Sequence, residues 1–263
     1  EWRASYSEAL RDAPYQLSNI YNINDAGVPI LSTSPAANRM QFSKVEDDTT
    51  DFGIDGTLPM TRDGECTFLC EADLKFGYSY VENDRAATSL LYDINGVGGT
   101  DRTQRLDYIY DYIFRSGVGS ITEVAGEQFP QFYVATLEID AAYAGIDAQI
   151  TPYIRAALGV RFEDAIEAID TQNISGDLTG NTVEGVIDQS DWLPALTITW
   201  NPIEDLQVRG GYSETLTRPQ FRELAPAVFV NTETDATFFG NPYLVNASIK
   251  NYDLRGEYYF ARD

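Results

Sequence analysis

Alternation with a period of two residues is the dominant pattern in this chain of 263 residues. Several segments place uncharged, mostly apolar side chains at every second position, with charged or hydroxyl side chains between them. Successive side chains of a β-strand point to opposite faces, so each segment is predicted to be a strand with one apolar and one polar face. The clearest segments are 72–80, 133–141, 154–162, 192–200, 206–213 and 252–260, and the chain also opens on such an alternation at Trp2, Ala4 and Tyr6.

Charge restricts the chemistry of the chain. It carries 18 Lys and Arg against 41 Asp and Glu, a formal net charge of −23, and it contains no histidine. A chain this acidic repels phosphate backbones, so we expect no nucleic-acid partner. Without histidine there is neither a His-ligated zinc site nor the general base of a Ser-His-Asp or Cys-His nucleophile. Carboxylate chemistry and oxygen-ligated cations such as calcium stay open, but we expect no enzyme, no cofactor and no metal site.

Carboxylates and the two cysteines are the remaining reactive groups. Glu138 and Asp140 share one strand face, as paired carboxylates of glycosidases can, but charged side chains are ordinary on a polar strand face. The acidic cluster of Glu46, Asp47, Asp48 and Asp51 is predicted to be a solvated face or a gatekeeping charge run. Cys66 and Cys70 would lie about 13 Å apart in a strand, too far for a disulfide, whereas a turn between them would allow one. Both alternatives stay open.

Connection lengths separate two all-β architectures that share this alternation. Short turns are predicted at 145–147 and 201–205, and long polar connections at 83–130, 169–190 and 216–250. Compact soluble domains rarely contain several loops of this length. A transmembrane β-barrel has short turns at one rim and long loops at the other. The pattern therefore favours the barrel, while a soluble β-sandwich stays open as an alternative.

Aromatic residues are spaced as in a membrane-spanning strand. Trp192 and Trp200 share one face at a separation of about 26 Å along the strand, or about 20 Å along the membrane normal after tilting. Tyr252 and Phe260 repeat this spacing. Barrels of outer membranes carry aromatic girdles at both edges of their apolar band, so we predict that these four residues form a membrane girdle. The charged faces are predicted to line a polar lumen: Lys75, Glu138, Asp140, Arg155, Arg161, Arg209, Asp253, Arg255 and Glu257.

The last third of the chain contains two distinctive successions of residues. The first is WLPALTITW at 192–200, followed by LQVRGGYSETLTRP at 206–219 and QFRELAP at 220–226. The second is GNPYL at 240–244, followed by NYDLRGEYYF at 251–260. Together they resemble the late barrel strands of TonB-dependent outer-membrane receptors. Earlier segments resemble this family more loosely, and the likeness covers most of the chain.

The resemblance implies an all-β fold, an antiparallel transmembrane β-barrel with short periplasmic turns and long extracellular loops. Residues 1–263 would be a partial barrel domain that supplies about eight of about 22 strands, with the plug domain and the terminal strands outside it. It also implies a place in the bacterial outer membrane, in contact with lipid and lipopolysaccharide. The implied partner is a TonB-type energy-coupling protein that acts through the plug.

The implied function is active transport of a scarce small-molecule nutrient, either carbohydrate-type cargo or a metal chelate. The acidic charge argues against a strongly anionic cargo. Two alternatives stay open, a passive porin-like channel and a secreted β-sandwich that acts as an adhesin or carbohydrate-binding module. We predict that ligand is contacted by residues of the loops and the barrel mouth: Tyr92, Tyr108, Tyr110, Arg218, Gln220, Phe221, Arg222, Phe238 and Phe239.

Overall fold

A computed structural model describes residues 1–61, 68–124, 132–172, 183–225, 228–231 and 236–260. The described residues form two helices, α1 (Leu106–Arg115) and α2 (Phe221–Leu224). Their strands are β1 (Trp2–Asn19), β2 (Tyr21–Ile23), β3 (Pro29–Leu31), β4 (Asn38–Thr61), β5 (Glu71–Asn95), β6 (Ser120–Glu123), β7 (Phe132–Thr151), β8 (Ile154–Gln172), β9 (Val183–Ile203), β10 (Leu206–Thr217), β11 (Val228–Asn231), β12 (Ala236–Phe239) and β13 (Ala247–Tyr258).

Eight long strands form one antiparallel sheet in the order β1-β4-β5-β7-β8-β9-β10-β13. Each long strand pairs with the next long strand along the chain, which is the up-and-down connectivity of a barrel wall. The short strand β6 pairs with the end of β5, and the β2–β3 and β11–β12 hairpins form separate small sheets. This arrangement confirms the predicted all-β barrel strands and their number.

The two ends of the sheet differ in the length of their connections. At one end, which we call the short-turn rim, Pro152 and Tyr153 join β7 to β8, and Glu204 and Asp205 join β9 to β10. The opposite end, the long-loop rim, carries the connections that contain β2–β3, α1 and α2. The long connections are shorter than predicted, since β5 continues to Asn95 and β8 to Gln172. The predicted alternation of short turns and long loops is otherwise present.

The turn predicted at 145–147 is wrong, because β7 continues through these residues to Thr151. Gly145 instead lies opposite Gly159 of β8, and a Cβ atom on Gly145 would stand 2.9 Å from the carbonyl oxygen of Leu158. Glycine here reflects a close approach of two backbones, which is one of its uses inside a strand. The strand ends at Pro152, which has no N–H for the ladder.

Strand β4 was not predicted from the sequence. It pairs with β1 along one edge and with β5 along the other, over its full length. Its acidic residues interrupt the alternation, because they occur on both faces of the strand. Glu46 and Asp48 share a face with Phe52, whereas Asp47 and Asp51 lie on the opposite face. Asp47 there forms an ion pair with Arg85 of β5. Glu46 and Asp48 are exposed, as predicted for a solvated face, whereas Asp47 and Asp51 are half-buried on the other face.

One face of the sheet, which we call the outer face, is apolar in the half next to the short-turn rim. Cross-strand register places on it a band of side chains from all eight long strands: Trp2, Phe52, Ile54, Leu74, Phe76, Ile146, Leu158, Leu196, Ile198, Val208 and Leu254. Leu158 is 55% exposed and Leu254 85% exposed. No second sheet covers this band in the part of the chain that the structure describes, whereas the inner faces of a sandwich pack on each other. An exposed apolar sheet of this size suits lipid.

Aromatic residues border this band. The ring of Trp192 lies 4.9 Å from that of Phe162, and the rings of Tyr252 and Tyr212 are 5.1 Å apart. Trp200 is on the same face as Trp192, as predicted, and is 49% exposed. Phe260 differs from the prediction, because β13 ends at Tyr258 and Phe260 follows the strand. The girdle role of the other three residues stays a prediction.

Towards the long-loop rim the two faces exchange their polarity. On β7, Tyr133, Ala135 and Ala141 are buried on the inner face, whereas Glu138 and Asp140 lie on the outer face. The tyrosine hydroxyls of β5 bond to these carboxylates, with Tyr80 Oη 3.3 Å from Glu138 Oε1. The lumen position predicted for Glu138 and Asp140 is therefore wrong. The reason is that the inner face here packs against the loop that contains α2. The outer face at this height lies beyond the apolar band, towards the long-loop rim.

Three further features complete the fold. Among the described residues, no helix has the length and apolar character needed to cross a membrane. Cys70 takes part in a disulfide, while Cys66, the other cysteine of the chain, lies outside the described residues. No group of three or more acidic or cysteine side chains is placed to hold a metal ion in the described ranges.

Candidate functional site

The first loop assembly at the long-loop rim, which we call the α1 cluster, joins β3 and α1 to the ends of β4 and β5. Its buried core consists of Leu31, Ile94, Val97, Ile109 and Ile113, each at most 3% exposed. Ile109 and Ile113 are four residues apart on α1 and therefore share its buried face. This core fixes the helix on the sheet.

Polar contacts add to the α1 cluster. Leu31 N donates to Arg102 O at 3.0 Å, and Arg102 Nη1 donates back to Leu31 O at 2.9 Å. The hydroxyl of Tyr110 bonds to the side chain of Asn19 at the end of β1. Burial raises the pKa of Tyr110 to about 12, so its phenol stays protonated at neutral pH. The α1 cluster thereby joins three long strands through two loops.

The opposite side of α1 borders a cavity of about 380 Å³. Its lining includes Thr100, Asp101, Gln104, Tyr108 and Tyr112. The Asp101 carboxylate accepts hydrogen bonds from Thr103 Oγ1 at 2.7 Å and from Gln104 Nε2 at 3.0 Å. These bonds, that of Gln104 foremost, hold the pKa of the Asp101 carboxyl below its usual value. The cavity therefore presents a fixed negative charge beside two tyrosines.

The second loop assembly, which we call the α2 arm, consists of residues 218–225 and covers the inner face near the long-loop rim. Phe221, Leu224 and Ala225 are buried against Ala135 and Ile169 of the sheet. The arm is also ordered locally, because Gln220 N donates to Glu223 Oε2 at 2.8 Å in a capping box. The guanidinium of Arg85 stands 5.2 Å from the centre of the Phe221 ring, a cation–π contact.

An ionic group fastens the α2 arm to the barrel wall. Arg218 Nη2 lies 2.8 Å from Glu163 Oε2, and Arg161 Nε lies 2.6 Å from Glu163 Oε1. Glu163 is 9% exposed, and Glu167, four residues further along the same face, is 2% exposed. In the described part of the chain, Glu167 Oε2 and Arg218 Nε have no hydrogen-bond partner. Arg218 of the α2 arm thus supplies positive charge to a part of the barrel wall that contains two buried glutamates.

A close approach between two loop segments holds the arm from above. A Cβ atom on Gly240 would lie 1.8 Å from the carbonyl oxygen of Ala225, and Asn241 N donates to Glu223 O at 2.5 Å. Only a residue without a side chain fits against the arm at this point.

We expect Gly240→Ala to displace the α2 arm and to lower the free energy of unfolding by about 2 kcal/mol, since the added methyl group overlaps backbone atoms that cannot rotate away. Gly99→Ala is the matched control, because nothing lies within 4 Å of a Cβ atom there. The measurement is urea unfolding of the full-length protein, together with the rate of proteolysis in the loop that contains α2. Equal effects of the two substitutions would contradict the close packing of the arm.

At the short-turn rim the inner face carries charged residues in ion pairs. Asp147 contacts Lys75 at 3.3 Å and Arg155 at 2.8 Å, and the two cations compensate the negative charge of its carboxylate. An open cleft of about 440 Å³ lies beside them, lined also by Gln207 and Arg209. Lys75, Arg155 and Arg209 thus lie on the polar inner face, as predicted.

The structure places the predicted ligand-binding residues in different surroundings. Tyr108 borders the cavity on α1, whereas Tyr110 is half-buried in the α1 cluster. Tyr92 lies on the outer face with its ring 5.9 Å from that of Phe42. Within the α2 arm, Phe221 is buried, and Arg218 and Gln220 bond to the protein.

The last three of the predicted residues have few described contacts. Arg222 is exposed on the α2 arm. Phe238 and Phe239 lie in β12, where they pair with Phe229 and Val228 of β11. Tyr112 and Gln104 are not among the predicted ligand-binding residues, although Tyr112 follows Tyr108 by the four residues that bring side chains together on a helix. The signal that could have indicated them is this helical spacing, which lies within the predicted loop 83–130.

Comparison with known proteins identifies the family. The family described as "TonB dependent receptor-like, beta-barrel" matches residues 1–262. The chain therefore belongs to the β-barrel family of TonB-dependent receptors, as its motifs predicted.

Among solved structures, the chain is similar to the crystal structure of the siderophore receptor PiuA from Acinetobacter baumannii. The two are 11% identical in sequence with a TM-score of 0.46, over 98% of this chain and 35% of that chain. The chain thus spans about a third of the length of that receptor. No curated protein sequence matches the chain.

Proposed function

We propose that the chain forms part of the wall of an outer-membrane receptor that imports a scarce small-molecule nutrient, energised by a TonB-type partner acting through a plug. The observation that supports this most directly is the two-faced sheet in a chain of this receptor family. Its outer face offers an apolar band to lipid, and its inner face carries the Asp147 and Glu163 ion pairs. In this proposal the long-loop rim is extracellular, where it also meets lipopolysaccharide, and the short-turn rim is periplasmic.

A passive channel is the second candidate, since a polar inner face would also serve diffusion. The α2 arm argues against it. This arm occupies the inner face near the long-loop rim and is fixed there by Phe221 and Arg218. A passive pore needs an open mouth for diffusion, whereas a receptor that captures its cargo needs loops that fold over the mouth and contact the cargo.

Dependence on the energy-coupling partner separates the two candidates. We expect cells that express the full-length protein to accumulate cargo only with an intact TonB-type protein and an inner-membrane proton gradient. Loss of either should reduce uptake to the level of cells without the receptor. The measurement is accumulation of labelled neutral oligosaccharides and of labelled ferric chelates, each supplied at low concentration. Uptake of both that persists without the TonB-type protein would establish the passive channel instead.

The two cargo classes give different results in the same assay. The net charge of −23 disfavours anionic chelates, and exposed tyrosines of the long loops suit the apolar faces of sugar rings. We therefore propose carbohydrate-type cargo ahead of a metal chelate.

A further inference from the structure

The cavity beside α1 has the composition of a small-molecule site. Its volume of about 380 Å³ lies at the lower end of the range of about 300–1,000 Å³ that is typical of ligand pockets. Tyr108 and Tyr112 border it with rings that are 66% and 56% exposed. In the described part of the chain, neither tyrosine hydroxyl has a hydrogen-bond partner. Two large apolar surfaces with unused polar ends are therefore available to a ligand.

The cavity is preorganised by the packing beneath it. Ile109 contributes to its lining and is also part of the buried core of the α1 cluster, where it is 2% exposed. Tyr108 and Tyr112 flank Ile109 on the same helix, so the core that fixes α1 also fixes the two tyrosines. A site on a fixed element loses less conformational entropy when a ligand binds.

The polar groups of the cavity select the charge of the ligand. Asp101 is ionised and held by Thr103 and Gln104, and none of the lining residues that the structure describes is basic. An anionic ligand would be repelled by this carboxylate and by the acidic chain as a whole. Hydroxyl groups of a neutral ligand can instead donate to the carboxylate, which gives strong charge-assisted hydrogen bonds.

We propose that the α1 cavity binds a neutral sugar ring of an oligosaccharide, with the apolar face of the ring on Tyr108 and Tyr112 and its hydroxyls on Asp101 and Gln104. A sugar ring combines an apolar C–H face with a hydroxyl edge, which matches an aromatic surface beside a carboxylate. The volume accommodates one or two rings rather than a long chain. The inference rests on the proposed function for its place on an uptake route, but binding itself is measurable without transport.

The test is a calorimetric titration of the full-length protein in detergent with maltohexaose, cellohexaose and xylohexaose. We expect at least one of the three to bind. Tyr108→Ala and Tyr112→Ala should each weaken its binding about tenfold, because each removes one stacking surface. Tyr108→Phe keeps the ring and should weaken binding about threefold or less.

Tyr243→Ala is the matched control, since Tyr243 is an 86% exposed loop tyrosine outside the cavity lining. It should leave the affinity unchanged. Both alanine substitutions on α1 remove exposed side chains, and heat-dependent gel mobility will verify that each variant is folded. Absence of binding by all three sugars at concentrations up to about 10 mM would overturn the proposal, as would an equal loss in the Tyr243 variant.

The outcomes separate this site from the proposed function. Sugar binding that depends on Tyr108 and Tyr112, without TonB-dependent uptake, would retain the site and reject the transporter. TonB-dependent uptake of a ferric chelate, without sugar binding, would retain the transporter and reject the site.

Discussion

Leu158→Arg is expected to destabilise the barrel in a lipid bilayer by about 2–4 kcal/mol and to impair its insertion. Leu158 lies on the outer face at the middle of the apolar band, four residues from both Ile154 and Phe162, and is 55% exposed. An arginine here would place a guanidinium against the hydrocarbon core, where no water or counter-charge solvates it.

Ala157→Arg provides the matched control on the adjacent residue. Its side chain points to the inner face, lines the cleft of about 440 Å³, and lies opposite Asp147 of β7. The cleft is open and polar and leaves room for the charged side chain in water, so we expect a change within about 0.5 kcal/mol. The measurement is urea-dependent folding of the full-length variants into lipid vesicles. If the two arginines were equally costly, the assignment of lipid and lumen to the two faces would be wrong.

The strands were predictable where one physical environment acts along a whole face. In β8 and β9 the outer face from Ile154 to Phe162 and from Trp192 to Trp200 is uncharged throughout, so the alternation in the sequence is unbroken. In β7 the environment changes halfway. Tyr133 and Ala135 on the inner face are buried against the α2 arm, and from Ala142 onward the outer face is uncharged. The alternation of β7 shows that one face is apolar and the other polar. It does not show that the apolar face is the inner one in the first half of the strand and the outer one in the second half.

The candidate site was less predictable because it depends on contacts between distant segments. The sequence indicates that Arg218 follows a strand and that tyrosines are frequent in the long loops. It does not indicate that Arg218 meets Glu163, 55 residues earlier, or that Tyr110 is turned towards Asn19 while Tyr108 borders a cavity. Helix α1 could have been predicted from Ile109 and Ile113, whose spacing is helical. The fold of the loop around it could not.

Arg218→Ala is expected to release the α2 arm and to lower the free energy of unfolding by about 2 kcal/mol, since it removes one of the two arginines that compensate the buried Glu163 carboxylate. Glu163 would keep only Arg161, and the 2% exposed carboxyl of Glu167 would lose the cation nearest to it. The free energy of unfolding is measured by urea titration, and release of the arm by the rate of proteolysis between β10 and β13.

Two further variants identify the ion pair as the cause. Glu163→Gln in the Arg218→Ala background should restore part of the stability, because the buried charge is removed together with its partner. Arg222→Ala is the matched control, since this arginine lies on the same arm but is exposed. A change as large in Arg222→Ala as in Arg218→Ala, or simple additivity of Arg218→Ala and Glu163→Gln, would show that general charge rather than this contact holds the arm. With the expected coupling, the Arg218–Glu163 pair is what keeps the loop folded over the mouth of the barrel, and weakening it should open that mouth without disturbing the strands below.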